Sequence, residues 1–233
     1  MIEIIPAIMP ESLEDLTEKA GLVAPYVKMV QLDIMDGRFV APRTWPYFTN
    51  NYDFEALLTE DQGLPYWDKI DFEADLMVEK PEKVLDQWIT AGAKRLIVHV
   101  ESTENMAEVL RQFRQRFTYS KDPAERDIEF VLAKGVETPI DAILPYLEDI
   151  DGVQFMGIAK IGYQGEELDE RVIDQIRDFH NAHPEVIISV DGGVTLDNAR
   201  MLYQAGARRL VSGSGIYKSS NIPETIELFR HAS

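Results

Sequence analysis

The feature that most constrains this chain is a rhythm. Along 233 residues, short apolar, β-branched runs alternate without interruption with amphipathic stretches. The runs at roughly 2–8, 28–34, 70–76, 95–100, 128–133, 152–156, 186–190 and 209–212 read as strands. Those at roughly 12–24, 49–60, 81–91, 103–117, 139–147, 168–182, 195–205 and 222–231 carry the 3.6-residue period of helices packed on one face. Strict alternation dictates parallel strands joined by right-handed crossovers. Eight such units suit closure into an α/β (β/α)8 TIM barrel. A doubly wound open sheet would also alternate, but no Gly-x-Gly-x-x-Gly follows the first strand. The length is that of one complete barrel, so 1–233 is expected to be a single domain.

Local punctuation supports the register. Ser12 opens the first helix with Asp15 in its first turn, and Thr195 opens another with Asp197 behind it. Ala91-Gly92-Ala93 and Ala205-Gly206-Ala207 each end a helix with a glycine just before a strand, where a left-handed residue is expected. Asp61–Trp67 and Tyr119–Asp127, polar and proline-containing, read as solvated loops.

Charge narrows the partners. A formal net charge of -18 repels phosphate backbones and anionic lipid, which argues against nucleic acid and membrane surfaces. A phosphorylated small molecule is still admissible, because backbone N–H groups can offset its charge inside a pocket. The absence of cysteine removes disulfides, thiolate nucleophiles and Cys-ligated metals. The start Met-Ile-Glu-Ile-Ile-Pro has no basic leader, and no apolar run reaches the ~18 residues of a membrane span, so a cytoplasmic protein is expected.

In a barrel, polar residues at the C-terminal ends of strands are candidates for chemistry, because the positions below them fill an apolar core. Alternation places Gln31, Asp33 and Met35 on one face of the second strand, and Glu73, Asp75 and Met77 on one face of the third. The fourth strand carries His99 and Glu101, and the seventh ends in Val190-Asp191-Gly192-Gly193. Several carboxylates near one axis are costly without a cation or shared protons, so their joint placement points to a function. His99, ending an apolar strand, reads as a hydrogen-bonded core residue in preference to a ligand. Glycine pairs follow three consecutive strands: Gly162 and Gly165, then Gly192 and Gly193, then Gly213 with Ser214 and Gly215. One pair is an ordinary turn; three together, with helices behind them, predict a phosphate pocket.

These residues resemble the ribulose-phosphate 3-epimerase family. The similarity rests on Leu32-Asp33-Ile34-Met35-Asp36-Gly37-Arg38-Phe39-Val40, Leu76-Met77-Val78 with Pro81-Glu82, His99 with Glu101, Val190-Asp191-Gly192-Gly193, and Ser212-Gly213-Ser214. The resemblance implies a barrel of the ribulose-phosphate-binding type that interconverts phosphorylated ketoses at C3 with two aspartates and a divalent metal, and it suggests a homo-oligomer. Asp33 and Asp191 match the acid/base pair, and Met35, Met77 and Met156 match a methionine cluster lining the pocket. The family's two metal-binding histidines are replaced by Gln31 and Asp75, so the implied metal set is Gln31, Asp33, Asp75 and Asp191. An all-oxygen set suits Mg²⁺ or Mn²⁺ better than Zn²⁺ or Fe²⁺. The family's first-strand serine aligns with Ala7, and its loop after the sixth strand becomes Lys160-Ile161-Gly162-Tyr163-Gln164-Gly165-Glu166. Lys160 reads as an exposed loop lysine. Two other functions stay open: a Schiff-base, aldolase-like lyase using a desolvated Lys160, and a non-catalytic sugar-phosphate-binding barrel that has lost its metal ligands. Glu166 and Glu167 would oppose an anion if they faced it.

Overall fold

A computed structural model describes residues 2–48, 52–117 and 127–232. Its strands are β1 (Glu3–Ile8), β2 (Met29–Met35), β3 (Asp71–Met77), β4 (Ala93–His99), β5 (Glu129–Lys134), β6 (Gly152–Met156), β7 (Ile188–Asp191) and β8 (Arg209–Ser212). They pair in parallel in sequence order, and β8 pairs with β1 to close the barrel. The helices are α1 (Leu13–Val23), α2 (Tyr52–Leu58), α3 (Leu85–Thr90), α4 (Met106–Arg116), α5 (Arg171–Ala182), α6 (Leu196–Ala205), α7 (Ser214–Tyr217) and α8 (Ile222–Arg230). No helix among the described residues is long and apolar enough to cross a membrane.

The expected caps form. The Ser12 hydroxyl accepts the Asp15 N–H at 3.0 Å, and Thr195 makes a reciprocal capping box with Asn198. Gly206 ends α6 at φ +128, with the His180 side chain 2.5 Å from where a Cβ would stand, so only glycine fits there.

Three expectations need correction. The helix expected over 139–147 is two 3-10 turns, Ile140–Ala142 and Leu144–Tyr146, because Pro145 lacks the N–H and occupies the path a helix would need. The helix expected over 81–91 is a 3-10 turn at Pro81–Lys83 followed by the shorter α3. The four-residue α7 after β8 is an addition to the expected elements. Of the two expected loops, 61–67 is a turn that buries Leu64, whereas 119–126 lies outside the described residues, as do 49–51 at the start of the second expected helix.

The main core lies between barrel and helices, where outward strand residues such as Phe72, Phe130 and Phe155 meet the helices and Trp45, Phe54 and Trp88 form a mutually packed aromatic group. The lumen is layered. At its floor Arg95 bonds both Glu73 and Glu129, and Arg209 bonds Glu3 and Glu129 at 3.0 Å each. Two small apolar groups fill other parts of the lumen, Ile5, Ala7, Met29 and Val211 in one and Ile97, Val131 and Ala133 in the other. Asp33, Asp75 and Asp191 stand toward the C-terminal ends of their strands.

Candidate active site

The register of β2 and β3 sets Asp33 beside Asp75, and that of β6 and β7 sets Asp191 beside Met156. Ligand oxygens of Asp33, Asp75 and Asp191 all lie within 4.8 Å of one another. Gln31, one inward position below Asp33, donates its amide to Asp33 Oδ1 at 2.9 Å and to Asp191 Oδ2 at 2.7 Å. One neutral side chain thus bridges two strands and two carboxylates. Asp75 is fixed separately: His99 Nε2 stands 3.0 Å from its Oδ1 and the Gln154 amide donates to its Oδ2 at 3.1 Å.

Burial dominates the electrostatics. It raises the pKa of Asp33 well above the ordinary carboxylate value, with repulsion from Asp191 and Asp75 adding to it and the Gln31 and Gln164 amides opposing. Asp191 is pushed up to about 7, chiefly by burial and then by Asp75. For His99, burial pulls the pKa down, but the charge and hydrogen bond of Asp75 outweigh it, so His99 is held above its ordinary value and stays a donor to Asp75.

The rim is built from loops. Thr44 Oγ1 donates to the Asp33 carbonyl at 2.7 Å and accepts the Met35 N–H at 2.9 Å, which locks the end of β2. Asp36 accepts the N–H groups of Arg38 and Phe39 on one oxygen and that of Glu79 on the other, tying the β2 and β3 loops together. Phe39 then rests on His99 with ring centroids 5.3 Å apart. On the far side Gly162, Gly165, Gly192, Gly193, Gly213 and Ser214 converge on one cavity of about 320 Å³ that also includes Asp33, Asp191, Met77 and Met156. Gly193 holds φ +69, and a Cβ there would meet Leu168 N at 2.5 Å.

The expected residues therefore assemble, with qualifications. Met35 is buried beneath Gly162 and does not line the cavity. Glu73 shares the inward face but belongs to the floor, and Glu101 accepts the Gly135 N–H and the Thr138 hydroxyl. Glu166 and Glu167 do face the cavity. Lys160 is exposed, its Nζ 4.0 Å above the centre of the Tyr163 ring and outside the cavity, so the desolvation that a Schiff-base lysine needs is missing. Sequence reasoning overlooked Gln154 and Gln164. The only signal for Gln154 was an amide at an inward position of an otherwise apolar strand, two residues before Met156. Gln164 reaches back to the Ala7 carbonyl at 3.4 Å.

The pattern of the ribulose-phosphate 3-epimerase family matches residues 3–217. This chain belongs to that family. It is 24% identical to the ribulose-phosphate 3-epimerase of Schizosaccharomyces pombe over 99% of this chain and 93% of that protein. It is 30% identical to the chloroplastic ribulose-5-phosphate-3-epimerase of Arabidopsis thaliana, over 97% of this chain and 75% of that protein. Solved structures share the fold. A 3-hexulose-6-phosphate synthase superposes with a TM-score of 0.65 at 20% identity over 99% of each chain. KGPDC from Streptococcus mutans superposes at 0.69 and 12% identity over 100% of this chain and 97% of that one.

A divalent metal is part of how ribulose-phosphate 3-epimerases work, and the side chains here fit one. Three carboxylates facing one point, Asp33 and Asp75 buried and Asp191 half-buried, repel each other, which a cation would relieve, and every donor is a hard oxygen. The Gln31 oxygen is also buried with no hydrogen-bond partner, a second sign that a positive group belongs in this layer.

Proposed function

We propose that the protein is a sugar-phosphate 3-epimerase acting on a phosphorylated ketose, with Asp33 and Asp191 moving the proton at C3. The observation that carries this reading is the meeting of these two carboxyls, from separate strands, on the single Gln31 amide. Epimerisation removes a proton α to a carbonyl from one face and returns one to the other, so it needs an acid/base group on each side, a role two carboxyl groups can fill. Burial and mutual repulsion favour one proton on such a pair over two charges, leaving one member as acid and the other as base near neutral pH.

Asp33, Asp75 and Asp191 would hold the metal. Gln31 is the fourth candidate through its unpartnered oxygen, since an amide keeps its shape when oxygen and nitrogen exchange places. When bound, a divalent cation supplies positive charge against the carboxylates and the charge that develops on the substrate oxygens. The oxygen-only donors favour Mg²⁺ or Mn²⁺ over Zn²⁺ or Fe²⁺. Backbone groups of Gly192, Gly193, Gly213 and Ser214, with Gly162 and Gly165 opposite, are the proposed phosphate cradle, and Met77 and Met156 meet the sugar carbons. A cytoplasmic setting and assembly as a homo-oligomer belong to the same reading.

Deuterium incorporation at C3 of ribulose 5-phosphate, followed by NMR in D₂O with Mg²⁺ or Mn²⁺, tests it. Exchange that falls by at least about a hundredfold in Asp191→Asn is expected. No exchange in the folded wild-type protein with either metal would reject the proposal.

A further inference from the structure

On the opposite side of the barrel mouth from the glycine loops, a second cavity of about 320 Å³ opens between the loops that follow β2 and β3. Arg38, Arg43, Lys80 and Lys83 line it, with Asp36 and Glu79. The cavity is unusual for a chain of net charge -18. Exposed Arg111, Arg116, Arg171 and Arg177 each sit on a neighbouring carboxylate, whereas none of these four cations makes an ion pair among the described residues. Asp36 directs both its oxygens to backbone N–H groups and makes no direct ion pair with these cations.

Two backbone features place the cations. Lys80 is left-handed at φ +60 although it is not glycine and stands before Pro81, a position that pushes its residue toward extended backbone. Such a conformation is strained and persists where the surrounding structure holds it in place. Gly37, at φ +74, leaves room for Arg43 to lie across it: a Cβ there would come within 2.5 Å of Arg43 Nε. The Arg43 side chain is thereby held over the loop.

We propose that this cavity binds a phosphate-bearing small molecule at a site separate from the glycine-lined pocket. Arginine forks and lysine point charges in one concavity match a multiply charged oxyanion. The volume suits a small ligand, and the negative surface around it disfavours an extended polyanion. The loop after β2 that lines this cavity also carries Phe39, which rests on His99 beside Asp75.

Pyrophosphate serves as the probe, titrated into the ¹⁵N-labelled full chain without divalent metal while amide shifts are followed. Saturable shifts at residues 36–43 and 78–84 are expected, beyond those from NaCl of equal ionic strength. In the Arg43→Ala/Lys83→Ala double variant this affinity falls at least tenfold, while the response of Gly192–Ser214 is kept and reports an intact fold. Shifts confined to Gly192–Ser214, shifts matched by NaCl, or an unchanged affinity in the double variant would each overturn the proposal.

Discussion

Asp75 is gripped by two donors from different strands, and Gln154 is the more informative of them. His99 is fully buried and bonds Asp75 on one side, while Gln154 holds the other oxygen and leaves its own carbonyl oxygen unpartnered. A leucine at 154 would keep the volume and remove that orphan, so the fold survives while Asp75 loses half its support. Gln154→Leu is therefore expected to weaken Mg²⁺ or Mn²⁺ binding by about tenfold or more, read by calorimetric titration, with little change in urea stability. The raised carboxyls give a pH signature. Asp191 at about 7 in the fold lies above its unfolded value, so the native state binds the proton more tightly. The stability it contributes is complete below about pH 4 and is lost as pH rises toward 7. Metal-free protein should show this fall in Tm across that window by scanning calorimetry; Asp191→Asn should flatten it, and saturating Mg²⁺ should reverse it near neutrality by favouring the ionised form.

Among the elements, the loop after β6 is packed tightly against its neighbours. Gly157 donates its N–H to the Asp191 carbonyl at 2.6 Å, and a Cβ on it would stand 2.1 Å from the Gly192 carbonyl oxygen. Gly157→Ala must therefore push apart the loops that hold Asp191 and the proposed phosphate cradle. A stability loss of about 1–3 kcal/mol in urea titration is expected, together with a KM for the sugar phosphate that rises more than kcat falls. The strands were readable because burial on both faces leaves unbroken apolar runs, and Asp33, Asp75 and Asp191 stood out as charges at the ends of those runs. The segment 139–147 misled because Ile140, Ile143, Leu144 and Leu147 keep a helical period, while Pro145 forbids the hydrogen bonds that period implies. The four residues of α7 are too few to show a period. Gln154 and Gln164 escaped for a related reason: a single amide carries no periodicity, and its role appears only once distant strands and loops bring it to Asp75 or Ala7.

The whole barrel is closed at its floor by alternating charges. Arg95 links β4 to β3 and β5 through Glu73 and Glu129, and Arg209 links β8 to β1 and β5 through Glu3 and Glu129. Burial lowers the Arg95 pKa, but Glu73 and Glu129 raise it by more, so the guanidinium keeps its charge. Burial raises Glu73 against the pull of Arg95 and Arg209, whereas for Glu129 the two arginines outweigh burial and hold it low. Glu73 is 1% exposed, so removing its partner strands a charge where water cannot reach it. Arg95→Met is expected to cost about 3–5 kcal/mol in urea unfolding at pH 7, far more than any surface pair would. The same variant should recover stability as pH falls from 7 to 5. Without Arg95 the folded pKa of Glu73 rises further above its unfolded value, so that group's contribution is present at low pH and lost as pH rises through the folded pKa. A cost below about 1 kcal/mol with no pH dependence would mean that the closed strand ladder, from β1 round to β8, holds the floor without its charges.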